Sequence, residues 1–174
     1  MTTLIVGGAS SGKSRLAERL AVASPHRPLL YLATLQPFGA EGQRRVERHR
    51  RQRQGLGFET VERTTDLAAL PLPPGATVLL ECLGNLCANE LYSPEGAGER
   101  ALPAMLDGIA HLRRQSSRLI LVGNDVHSAG CLYEGDTLRY LRTLGHLQQH
   151  LAALADEVIE VTAGLPVWHK LPRR

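Results

Sequence analysis

The sequence predicts a single α/β domain built on a mostly parallel central sheet flanked by helices, and three observations carry that expectation. Apolar β-type runs recur along the whole chain, several of them nearly continuous rather than alternating, as strands covered on both faces require. Helical patterns fill the gaps, so strand and helix alternate as they do where crossover helices join parallel strands. The chain has 174 residues, 43% of them apolar, which is enough for one core and too few for two domains of usual size.

Taken in order, the first strand is Thr3 to Val6, and a helix over Lys13 to Ala23 follows it. The second strand is Leu29 to Ala33, with a helix from Glu41 to Arg53 behind it. Phe58 to Val61 reads as the third strand, and the proline-rich stretch Leu70 to Gly75 as a turn into the fourth, Thr77 to Leu80. A helix over Arg100 to Gln115 precedes the fifth strand, Arg118 to Val122, and a helix over Thr137 to Ala155 leads into the last, Glu157 to Val161. No internal repeat interrupts this order, so the domain is expected to span residues 1–174.

Composition narrows the class further. No apolar run approaches the roughly 20 residues a membrane span needs, and the start Met1-Thr2-Thr3-Leu4-Ile5-Val6 lacks the basic segment of a signal peptide. A cytoplasmic protein without a membrane span is expected. Cys82, Cys87 and Cys131 are odd in number and lack CxxC spacing, which suggests small buried hydrophobes rather than disulfides or a zinc site. The net charge is only +3, but Arg44 to Arg53 holds six arginines against one glutamate. Such a density attracts phosphate, carried by a nucleotide or by nucleic acid.

The sharpest signal is the stretch Gly7-Gly8-Ala9-Ser10-Ser11-Gly12-Lys13-Ser14, which fits G-x-x-x-x-G-K-[ST] between a strand and a helix. Glycines let the backbone curl so that successive N–H groups face one polyphosphate, and the helix adds its positive end. Lys13, expected as an exposed loop lysine, would reach the β and γ phosphates. Ser14 would offer its hydroxyl to the Mg²⁺ that nucleotides bring. The loop turns the general α/β expectation into a P-loop NTPase-like three-layer fold.

Two strand-end acids and one histidine complete the candidates. Glu81 closes the run Ala76 to Leu80 and reads either as a metal-holding carboxylate or as a solvated strand end. Asp125, after the fifth strand, is open in the same way. On helical spacing Glu41, Arg45 and His49 share a face, and Arg48, Arg50 and Arg53 keep the His49 imidazole neutral. A neutral nitrogen among phosphate-binding arginines suits a nucleophile; a surface histidine on a basic helix is the plainer reading.

Together, GGASSGKS, Tyr31-Leu32-Ala33-Thr34, the Glu41…Arg45-Val46-x-x-His49 helix and Leu79-Leu80-Glu81-Cys82-Leu83 resemble the adenosylcobinamide kinase / adenosylcobinamide-phosphate guanylyltransferase family. Further matches are Glu62, Asn124-Asp125-Val126 and the tail through Gly164-Leu165-Pro166. The resemblance implies two reactions. The γ-phosphoryl group of ATP or GTP passes to the aminopropanol hydroxyl of adenosylcobinamide, and the histidine matching His49 then takes GMP from GTP for transfer to the phosphorylated corrinoid. It implies a GTP site lined by Gly7 to Ser14, Ala33, Thr34, Leu35, Arg50, Arg51, Gln52, Arg53, Glu62 and Glu81, with Ser14 and Glu81 on the metal, and a homo-oligomer.

The chain departs from the family in two places. Where E-V-G-x-G-I-V-P is expected, it reads Asp125-Val126-His127-Ser128-Ala129-Gly130-Cys131-Leu132, and in the helix that follows Thr143 and Gln148 replace an aspartate and an asparagine. Either one activity is lost or the replaced residues were structural. The alternatives are therefore a single-activity member and a GTP-sensing protein without covalent chemistry. A nucleic-acid binder is disfavoured, because the arginine run lacks interleaved aromatics.

Overall fold

In the computed structural model of the chain, residues 1–36, 47, 51, 53–125 and 133–172 are described. The predicted strands form as β1 (Thr2–Gly7), β2 (Leu29–Ala33), β3 (Phe58–Glu62), β4 (Thr77–Leu80), β5 (Arg118–Asn124) and β6 (Glu157–Thr162), and β7 (Leu165–Lys170) joins them. The helices are α1 (Lys13–Val22), α2 (Leu83–Tyr92), α3 (Ala101–Gln115) and α4 (Gly135–Leu154). Of the predicted Glu41 to Arg53 helix, Glu47, Arg51 and Arg53 are described and helical; the other positions lie outside the described residues.

Among the described residues one sheet forms in the order β3-β2-β4-β5-β1-β6-β7. Its pairs are parallel from β3 through β6, and β7 returns antiparallel to β6. Side chains alternate between the faces. Leu30, Leu32, Val78, Leu80, Leu119 and Leu121 pack toward Leu86, Met105, Ile109, Leu112, Leu144 and Leu147 of α2, α3 and α4. Ile5, Tyr31, Leu79, Ile120 and Val122 pack on the opposite face against Leu16, Ala17 and Ala21 of α1. Both faces are buried, which is why the strands read as continuous apolar runs. The result is the expected three-layer, P-loop NTPase-like architecture.

Two elements were not anticipated. β7 follows a two-residue turn in which Ala163 (φ 50°) and Gly164 (φ 82°) are both left-handed, the geometry of a type I′ hairpin. Pro166 masks the strand pattern, yet an edge strand tolerates it because the missing N–H faces outward. α2 buries Leu83, Leu86, Cys87, Glu90 and Leu91, a clear helical stripe. Gly84 and the acid at a core position disguise it. A Cβ at Gly84 would lie 2.8 Å from the Tyr140 hydroxyl. Glu90 accepts the backbone N–H groups of Asp66 at 2.7 Å and Ala97 at 3.0 Å, so its buried charge is satisfied. Cys82 and Cys87 are free thiols, and burial pushes Cys87 up to about 12. Cys131 lies outside the described residues.

Candidate active site at the carboxyl edge of the sheet

β4, β5 and β1 are neighbours in the sheet, so whatever follows their carboxyl ends converges. That edge is where open parallel α/β sheets bind ligands. The loop after β1, Glu81 after β4 and Asn124-Asp125 at the end of β5 all reach one cavity of about 1130 Å³. The Asp125 N–H donates to the Gly7 carbonyl at 2.9 Å, pinning the end of β5 to the start of the loop.

The loop owes its curl to left-handed backbone at Ser10 (φ 57°) and Gly12 (φ 95°). Ser11 N–H and the Lys13 ammonium both donate to the Gly8 carbonyl, at 3.3 and 2.9 Å. Gly12 begins α1 with no side-chain cap and no acid in the first turn, which leaves the first N–H groups of the helix for an anion. Lys13 is only 7% exposed, which corrects the expectation of an exposed loop lysine. Its ammonium donates to the Gly8 carbonyl within the loop, and the residue still lines the cavity. Ser14, in the first turn of α1, is exposed and lines the same cavity.

Glu81 is half-buried, and its N–H donates to the Leu32 carbonyl at 3.2 Å. The buried Tyr31 hydroxyl donates to the Glu81 carboxylate, and burial first, then that carboxylate's charge, lift the phenol well above its usual range. The Arg53 guanidinium stacks on the Tyr31 ring, 3.4 Å from its centroid, a cation–π contact inside the protein. Among the described residues, its Nε and Nη1 are buried without a hydrogen-bond partner. On α1, Glu18 completes the cluster: burial raises its carboxyl above the usual carboxylate range, Arg53 opposes that shift and Glu81 adds to it. Tyr31, present in the sequence only as part of the Tyr31-Leu32-Ala33-Thr34 match, and Glu18 were not expected at the site. The first looks like an ordinary core residue. The second stands one helical turn after Ser14, a spacing that signalled the shared face.

The other predicted residues are spread more widely. Thr34 is fully buried and acts as a clasp, its hydroxyl donating to the Cys82 carbonyl at 3.0 Å and its carbonyl accepting from Asn89 at 2.8 Å. Ala33 and Leu35 flank it at the end of β2. Glu62 ends the edge strand β3, exposed and paired in register with Ala33. Arg51 is exposed. His49, Arg50 and Gln52 lie outside the described residues, as do the departures from Val126 to Leu132. Gln148, one of the replaced helix positions, donates to the Asn124 carbonyl at 3.0 Å and thus braces the end of β5.

Among the described residues, no group of three or more His, Cys, Asp or Glu side chains is arranged to hold a metal ion. What the cavity offers is sparser: Ser14, Glu81 and Asp125 are among its lining residues with Lys13. Such a set of hard oxygen donors fits Mg²⁺, which uses one or two carboxylates and completes its shell with phosphate oxygens and water.

Fold and loop together define a P-loop NTPase-like protein. A solved KaiC-like protein, PH0186 from Pyrococcus horikoshii OT3, shares the fold with a TM-score of 0.52 at 13% identity, over 98% of this chain and 79% of that one. The chain belongs to the cobinamide kinase / cobinamide phosphate guanyltransferase family, which matches residues 3–168, and is an enzyme of that class. It is 36% identical to the bifunctional adenosylcobalamin biosynthesis protein CobU of Escherichia coli K12, over 96% of this chain and 98% of that protein. It is also 36% identical to the bifunctional protein CobP of Pseudomonas aeruginosa, with 96% of each chain covered. No helix among the described residues is long and apolar enough to cross a membrane.

Proposed function

We propose that this chain, as one catalytic domain, phosphorylates adenosylcobinamide with ATP or GTP and then transfers GMP from GTP to the phosphorylated product. The observation that carries the reading is the convergence of Lys13, Ser14, Glu81 and Asp125 on one cavity, in a chain matched by the family almost from end to end. The loop amides and the Lys13 ammonium bind the polyphosphate and neutralise the charge that develops during transfer. Ser14 and Glu81 would hold Mg²⁺, which would supply positive charge to stabilise the phosphate oxygens. In the kinase step the site orients the corrinoid hydroxyl, whose oxygen bonds to the γ-phosphorus and gives up its proton to water as the bond from that phosphorus to the β,γ-bridging oxygen breaks and the nucleoside diphosphate leaves.

In the second step a neutral His49 nitrogen attacks the α-phosphorus of GTP, forming a P–N bond as the bond to the pyrophosphate leaving group breaks. A phosphate oxygen of the corrinoid then attacks the same phosphorus, the P–N bond breaks and the imidazole is restored. Arg50, Arg51 and Gln52 assist through charge and hydrogen bonding, Arg53 through charge from its buried place on Tyr31, and Ala33, Leu35 and Glu62 complete the nucleotide site, with the buried Thr34 clasping the end of β2 to Cys82 behind it. The enzyme is cytoplasmic and a homo-oligomer, without a nucleic-acid partner; the exposed Leu165, Val167 and Trp168 on β7 support self-association.

The test is a product assay with adenosylcobinamide, GTP and Mg²⁺ in the wild type and in Lys13→Ala. The wild type is expected to yield both the phosphorylated and the guanylylated corrinoid, and Lys13→Ala neither, while remaining folded. Product formation unchanged in the variant would overturn the role of the loop. A wild type that yields only one product would point to the single-activity alternative.

A further inference from the structure

We propose that the turn between β6 and β7 is a positioning element of the phosphate loop, acting through the hydrogen bond from the Gly164 N–H to the Ser11 carbonyl. The inference rests on the reading that the loop binds a nucleotide. That hydrogen bond is 2.9 Å long and joins residues far apart in the chain. In a planar trans peptide the C=O and the following N–H point in opposite directions. Holding the Ser11 carbonyl outward on the turn therefore aims the Gly12 N–H inward, toward the place a phosphate oxygen takes.

The loop's own groups do not set this peptide. The Ser11 N–H is used by the Gly8 carbonyl, the Gly12 carbonyl accepts the Leu16 N–H at 3.1 Å as α1 begins, and the Ser11 hydroxyl is buried without a partner among the described residues. Steric contact adds to the hydrogen bond. A Cβ at Gly12 would lie 3.4 Å from the Gly164 Cα, and one at Gly7 would lie 2.5 Å from the Val161 carbonyl oxygen. The loop thus rests on the last residues of β6 and on the turn. The turn is stiff, since Ala163 and Gly164 are both left-handed and Thr162 pairs in register with Leu165.

The experiment compares GTP affinity in the wild type, in Ala163→Asn, and in variants with one or two glycines inserted after Ala163. Asn-Gly suits the same turn, so Ala163→Asn is expected to bind as the wild type does. The insertions lift the tip off Ser11 and are expected to weaken GTP binding roughly tenfold, as the loss of one oriented hydrogen bond to a charged group does. Circular dichroism and the melting midpoint report folding beside each affinity. A purely structural turn lowers the midpoint and leaves the affinity of the folded protein unchanged, and that result would overturn the proposal. The single insertion keeps the comparison available should the double one unfold. A wild type that binds GTP but makes no guanylylated product would count against the proposed function and not against this inference.

Discussion

Arg53 and Arg51, both helical, stand two residues apart and meet different surroundings. Arg53 is buried against Tyr31 in the cluster with Glu18 and Glu81, whereas Arg51 is exposed. Salt screens exposed charges far more than buried ones. Arg51→Ala is therefore expected to weaken GTP binding at low ionic strength and less so near 1 M salt, while the loss in Arg53→Ala persists across that range. Equal salt dependence of the two affinities would show that Arg53 acts from the surface. Glu18 makes a pH prediction. Its folded carboxyl titrates above the ordinary value of 4.5, so the stability it contributes is full below that value and is lost as pH rises through the folded one. Glu18→Gln, which mimics the protonated form, is expected to melt above the wild type at pH 7, with the gap closing toward pH 4. A gap that stays constant would separate Glu18 from this linkage. Lys13, Ser14 and Glu81 were legible in the sequence because a motif and a strand end named them. The Tyr31, Arg53 and Glu18 contacts were not, since they depend on which strand and helix faces meet.

At the scale of elements, α2 was hidden by residues that break its local pattern because of something distant in sequence. Glu90 sits at an apolar position of α2 to receive two loop N–H groups, and Gly84 is small because the Tyr140 hydroxyl comes close. Neither partner is visible from the segment itself. Gly84→Ala is expected to destabilise by about 1–3 kcal/mol through overpacking, and Tyr140→Phe in the same chain, by removing the opposing oxygen, is expected to restore part of it. Urea unfolding of the two single variants and the double one measures the coupling. Strictly additive losses would mean that the hydroxyl is not what excludes a side chain at Gly84. The inner strands β1, β2, β4 and β5 were legible because burial on both faces leaves unbroken apolar runs. β7 was not, because it is an exposed edge strand carrying a proline.

For the whole molecule, the strand order places β1, β5 and β4 side by side and so gathers a glycine loop and two acids from three distant segments. Sequence motifs indicated what each segment carries; the parallel pairings show that they face one cavity. The central claim is that this cavity serves two transfers, one through a covalent histidine and one without it. The most direct test labels GTP at the α-phosphate or at the γ-phosphate and compares the wild type with His49→Ala. The wild type is predicted to carry α-label in an acid-labile, alkali-stable adduct and to pass γ-label to adenosylcobinamide. His49→Ala is predicted to lose the α-labelled adduct and GMP transfer, because no neighbouring arginine forms that intermediate, while γ-transfer persists. An α-labelled adduct that survives in His49→Ala would contradict the account.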